Sequence, residues 1–158
     1  MERIVIDEDL QYFVEEWVYE CRMMGVDYNK GLAIIDTIEF KEYATLFKLG
    51  ELDREKRKII ISDQVLQKDY YFQRLIVFHE LGHTIDLPHT CGKLSIMNPM
   101  LSHKHTRYYN LWWEQLMEHY FTDSIPCYEL DITVDSVVRW TYEYEGYCDY
   151  SNSTVGPL

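Results

Sequence analysis

The sequence predicts an α+β fold: a small, mixed and twisted sheet carrying an N-terminal helix, a second long helix in mid-chain and a C-terminal helix. Three observations lead there. Apolar residues recur at three and four positions in the stretches around 10–24, 72–83 and 113–120, the period of amphipathic helices. Between them lie short runs rich in β-branched residues, "RIVI", "LAIIDTIEF" and "KIIIS". Turn-forming residues separate the two kinds of segment, and 158 residues are enough for one domain with a real core. That domain is assigned to residues 1–150. The last stretch, "SNSTVGPL" at 151–158, is polar and read as a flexible tail.

"RIVI" at 3–6 opens the chain as a strand. In "DEDLQYFVEEWVYECRMMG", Leu10, Phe13, Val14, Trp17, Val18, Cys21 and Met24 share one helix face; Asp7 or Asp9 caps the start and Gly25 ends it. Residues 32–40 set Ile34, Ile38 and Phe40 on one strand face. "YATLFKL" at 43–49 is expected to be another short strand, with "GELDRE" supplying a turn. "KIIIS" at 58–62 is apolar on both faces, as an inner strand should be. Asp69 is placed to cap the next helix, in which Phe72, Leu75, Ile76, His79 and His83 share a broad face. A last helix is expected from about Thr106 to Phe121, and one or two strands in "CYELDITVDSVVRWTYEYEGYCDY".

The stretch that carries chemistry is "HELGHTIDLPH", residues 79–89, which holds three of the six histidines. On a helix, positions i and i+4 lie one turn apart on one face, so His79 and His83 can direct their rings at one point and supply two metal ligands. Glu80 is the neighbour of the first ligand and is placed to reach a water there as a general base. For a third ligand to swing back, the helix must break. Asp86 tolerates a left-handed backbone and Pro88 stops the helix from continuing, so His89 can complete a three-histidine site with a fourth position open. An open position suits catalytic rather than structural zinc.

These residues resemble the signature of the metzincin metallopeptidases, a branch of the zincins: HExxHxxGxxH followed by a turn containing methionine. "HELGHTIDLPH" matches the three histidines and the glutamate, and "TCGKLSIMNP" places Met97 eight residues past His89, a spacing like that of the matrixins. The resemblance is specific over residues 79–99 and architectural over about 1–121. It implies a catalytic zinc held by His79, His83 and His89, with Glu80 as base and Met97 as an apolar floor that does not bind the ion. It also implies an extended peptide or protein substrate lying on an edge strand, for which 43–49 is the candidate, and a pocket lined by "NPMLSH", with Met100 and Leu101 hinting at an apolar one. Two positions depart from the family pattern. Asp86 stands where the family has glycine, which adds backbone strain to the turn. Pro99 stands where some relatives have a tyrosine ligand.

The expectation is therefore a zinc-dependent endopeptidase. Two other readings are weighed beside it: a catalytically silent zincin-fold protein that binds a partner within a larger assembly, such as a phage particle, and a purely structural zinc. His103, His105 and His119 hold no ligand spacing to the motif and read as solvated or core-edge histidines. Cys91 and Cys148 read as small buried hydrophobes rather than ligands, and Tyr108 and Tyr109 as packing aromatics. The run "RWTYEYEGYCDY" reads as a half-buried strand.

A formal charge of −12 opposes binding to a phosphate backbone. No apolar run approaches membrane-spanning length, and "MERIVIDEDL" lacks the basic start of a signal peptide. Four scattered cysteines without a CxxC pair fit reduced thiols. A soluble, cytoplasmic protein with no nucleic-acid or membrane partner follows by default, with a secreted mature form or a virion-associated one left open.

Overall fold

The structure is a computed structural model, and it describes residues 3–43, 48–90, 95–98, 101, 103–121 and 154–155. Val5–Ile6 form β1, and Asp7 then caps α1, Glu8–Met23, by accepting the Asp9 amide. Glu8 and Asp9 put negative charge at the helix N-terminus, where the dipole favours it. Leu10, Phe13, Val14, Trp17 and Cys21 make the buried face, and Gly25 leaves the helix at φ +68°.

A short helix the sequence reading missed follows: α2, Tyr28–Leu32, capped by Asp27, whose carboxylate accepts the Asn29 and Lys30 amides. At five residues it is too short to show a period. It overlaps the 32–40 stretch read as strand at Leu32 alone; residues 33–36 are neither helix nor strand, and β2 spans Thr37–Lys41. Ile38 is buried and Phe40 partly so, while Ile34 precedes the strand.

The strand expected at 43–49 falls mostly outside the described residues. Residues 44–47 lie outside the described set, and Tyr43, Lys48 and Leu49 are not in a strand. The turn read at "GELDRE" is corrected: its first four residues form β3, Gly50–Asp53. The turn comes later, at 54–57: the Asp53 carboxylate accepts the Lys56 amide, and Arg57 takes φ +55°. Arg57 is held there by Asp36 and by the Ala33 carbonyl, each contact 2.9 Å.

β4, Lys58–Ser62, is the inner strand its composition predicts. It pairs parallel with β2 and antiparallel with β3, and Ile59, Ile60 and Ile61 are all buried. β1 pairs parallel with β2, completing a strand–helix–strand unit through α1. On the far side of β3, Thr154–Val155 form β5 and pair antiparallel with Glu51 and Gly50. The sheet order is β1-β2-β4-β3-β5. β5 is the part of the 151–158 stretch that the structure describes.

Ser62 caps α3, Asp63–Leu66, and Asp69 caps α4, Tyr70–Thr84, by accepting the Phe72 amide at 2.9 Å. Helix α4 is buried along nearly its whole length and packs on α1, β3 and β4. The expected last helix is two: α5, Thr106–Leu111, and α6, Trp113–Tyr120, broken at Trp112. Tyr120 ties α6 into the core. Its hydroxyl accepts the Trp17 indole N–H at 3.1 Å and donates to the Phe78 carbonyl, joining α1, α4 and α6. The strands expected within 127–150, together with Cys91, Cys127, Cys148, Pro99 and Met100, lie outside the described residues. No helix among the described residues is long and apolar enough to cross a membrane.

Candidate metal centre

Helix α4 aims His79 and His83 from successive turns, and hydrogen bonds fix both rings. A carbonyl can only accept, so the Nδ1–H of His79 donates to the Ile96 carbonyl at 2.7 Å and that of His83 donates to the Leu87 carbonyl at 2.9 Å. Each ring therefore presents a bare Nε2 lone pair, the arrangement that orients metal-binding histidines. The Nε2 atoms of His79, His83 and His89 stand 3.2, 3.2 and 3.1 Å apart. All three residues are buried.

This triangle is unfavourable by itself. Burial pushes the protonation of His79 well below the usual imidazole range, and the neighbouring His83 and His89 add to the shift. Burial, then His89, lowers His83 to about 3. The His79 and His83 rings are therefore neutral at physiological pH, with their Nε2 lone pairs facing each other. A shared cation relieves that arrangement. Tetrahedral zinc with Zn–N bonds of about 2.0–2.1 Å separates its nitrogens by about 3.3 Å, close to the observed spacing. The three histidines fit a metal ion.

The chain reaches His89 through a built turn. Ile85 closes α4, Asp86 adopts φ +64°, the Asp86 amide donates to the His83 carbonyl at 3.1 Å, and the Leu87 amide donates to the Gly82 carbonyl at 3.1 Å. These paired bonds are a Schellman motif with Asp86 in the left-handed position where glycine is usual. Arg54 supports it from the β3–β4 turn: its guanidinium donates to the His83 carbonyl at 2.8 Å and lies 3.4 Å from the Asp86 carboxylate. Lys30 stands 3.8 Å from the other Asp86 oxygen. Nothing in the sequence connects residue 54 to residues 83 and 86.

Met97 lies in a turn closed by the Asn98 amide on the Ser95 carbonyl at 3.1 Å, and the Thr90 amide donates to the Met97 carbonyl at 3.0 Å. The turn thus pins the segment after His89 while its Ile96 carbonyl orients His79. Met97 is buried against α4: a Cβ built on Gly82 would lie 2.7 Å from the Met97 sulfur and 2.8 Å from the Tyr120 hydroxyl. The glycine inside "HELGH" is thus a close-approach point, which the spacing of the ligands alone did not reveal.

Glu80 is 0 % exposed, and neither carboxylate oxygen has a hydrogen-bond partner among the described residues. Burial, then the charge of Glu51, raises its pKa well above the usual range, with Lys48 opposing. β3 covers it at close range: a Cβ built on Gly50 would lie 3.0 Å from Oε1 and 3.1 Å from Cγ. Gly50 is a second contributor that sequence reasoning missed.

The other candidates are elsewhere. His103 is half-exposed and bonds Asp69 at 3.0 Å. Tyr108, Tyr109 and Leu101 are buried. Comparison with protein-family models, with curated proteins and with solved structures finds no match for the chain.

Proposed function

We propose that the protein is a zinc-dependent endopeptidase. The observation that carries the reading is the convergence of the His79, His83 and His89 Nε2 atoms, with the residue after His79, Glu80, carrying a fully buried carboxylate that no other described group satisfies. His79, His83 and His89 would hold zinc, and Met97 and the Asp86 turn would support them. A zinc ion there would supply Lewis acidity, acidifying water toward a pKa of about 7, polarising a peptide carbonyl and favouring the ionised form of Glu80. Glu80 takes a proton from the attacking water on a carboxylate oxygen and passes it to the departing amine. The Ile96 and Leu87 carbonyls keep the two helix histidines in the ligating tautomer throughout. In the metzincin-like arrangement, an extended peptide lies along an edge strand. With the strand at 50–53, β3 takes the place of 43–49 as the candidate for that strand, its outer side paired with β5.

Glu80 also weighs against the two competing readings. An unpartnered buried carboxyl destabilises a fold by roughly 1–3 kcal/mol, which neither a silent binding protein nor a structural zinc site gives any reason to keep. The test is peptide hydrolysis by zinc-loaded wild type and Glu80→Ala. Loss of the base should lower the rate by roughly 10²- to 10⁴-fold with zinc still bound. A zinc-loaded wild type that cleaves nothing in a broad peptide library removes the peptidase reading.

A further inference from the structure

β3 would be an edge strand but for β5, because β4 pairs on one side only and Thr154–Val155 occupy the other. A free strand edge presents unpaired amides and carbonyls to any extended peptide. The register places the occupant at the site: Val155 pairs with Gly50, the residue whose Cα lies against the Glu80 carboxylate, and Thr154 pairs with Glu51. β5 also lies against α4, the helix that carries His79, Glu80 and His83. The segment is antiparallel to β3, it brings β-branched residues to the pairing, and "STVG" carries no charge that would clash with acidic Glu51.

We infer that the outer edge of β3 is a docking edge for an extended peptide, and that the chain's own Thr154–Val155 strand occupies it and must be displaced before another peptide can bind. The inference rests on the proposed use of β3 as substrate edge, but the docking itself can be read without catalysis. A strand supplied by the same chain competes as an intramolecular ligand, so it weakens every incoming peptide without being a tight ligand.

The test uses the full-length wild type and the double variant Thr154→Pro/Val155→Pro, which removes both β5 amides while leaving the metal centre intact. Hydrogen exchange at Gly50 and Glu51 should quicken in the variant, with α4 amides as protected as before. The probe is a fluorescein-labelled peptide DYSNSTVGPL, the sequence of residues 149–158. It should bind the variant at least tenfold more tightly than wild type, and zinc-loaded variant should hydrolyse a quenched peptide library correspondingly faster. Equal binding to both proteins, binding to neither, or unchanged exchange at Gly50 and Glu51 overturns the inference. Selective probe binding without hydrolysis by either protein supports the docking edge and removes the peptidase reading. Hydrolysis at equal rates with no selective probe binding does the reverse.

Discussion

Replacing Glu80 by methionine should lower hydrolysis by roughly 10²- to 10⁴-fold and yet make the metal-free protein more stable. Methionine has a similar length and helix propensity, so the packing against Gly50 is kept while the polar group is removed. Both Glu80 oxygens are buried without a partner among the described residues, and such burial costs roughly 1–3 kcal/mol. For a domain of this size each kcal/mol moves the melting temperature by about 2–4 °C, so Glu80→Met should melt on the order of 2–12 °C higher. The gain depends on pH with a defined sign. The folded pKa of Glu80 is raised above the unfolded value of 4.5, so the native wild type keeps a proton that the unfolded chain has released. Its stability is fully present below about pH 4.5 and falls as pH rises toward the folded pKa, by up to about 1.4 kcal/mol per unit. The advantage of the variant should therefore widen above pH 4.5. Calorimetry of both proteins after chelation reads this directly. A variant that melts lower than wild type at pH 7 would show that Glu80 has a structural partner, and would refute the reasoning.

Gly50→Ala places a Cβ 3.0 Å from Glu80 Oε1 and should move the base by a few tenths of an ångström, lowering the hydrolysis rate by about ten- to a hundredfold with zinc content unchanged; an unaltered rate would detach β3 from the site. Asp86→Gly relieves a left-handed backbone that costs about 1–2 kcal/mol. It also loses ion pairs with groups 52 % and 71 % exposed, worth only about 0–1 kcal/mol. It should therefore melt slightly higher, and in a double-mutant cycle Arg54→Ala should be less destabilising in the Asp86→Gly background than in wild type. In metal-free protein His83 stays neutral down to about pH 3, against an unfolded value of 6.5. Wild type should thus lose stability as pH falls below 6.5, by up to about 1.4 kcal/mol per unit, relative to His83→Gln; parallel melting curves for the two from pH 7 to 5 would contradict this.

What the sequence made legible was local. The i, i+4 spacing of His79 and His83, the Asp69 cap and the apolar stripe of α1 each depend on neighbours within one helix; five of the seven stripe residues are buried, Val18 is partly so, and Met24 falls past the helix end and is exposed. "KIIIS" declared an inner strand because three consecutive buried isoleucines need cover on both faces. Asp86 could be expected at positive φ because Pro88 and the need to return His89 leave the turn few other backbones. Where the reading failed, long-range contacts decided. "GELD" has the composition of a turn, and pairing with β4 makes it a strand, because tertiary context outweighs weak β-propensity. Helix α2 had a legible cap in Asp27 but too few residues to show a period. Arg54 on the His83 carbonyl, Gly50 on Glu80 and Tyr120 against Gly82 join residues about 29 to 38 positions apart, and single-chain spacing carries no trace of such pairs.

X-ray absorption at the zinc edge, on protein loaded with one equivalent of zinc, tests the open three-histidine centre most directly. Three imidazole nitrogens and one further light atom from solvent are expected at about 2.0–2.1 Å, with the histidine pattern reduced by one in His89→Ala. A sulfur shell at about 2.3 Å, or four protein ligands that close the coordination sphere, would contradict it and leave the metal a structural role.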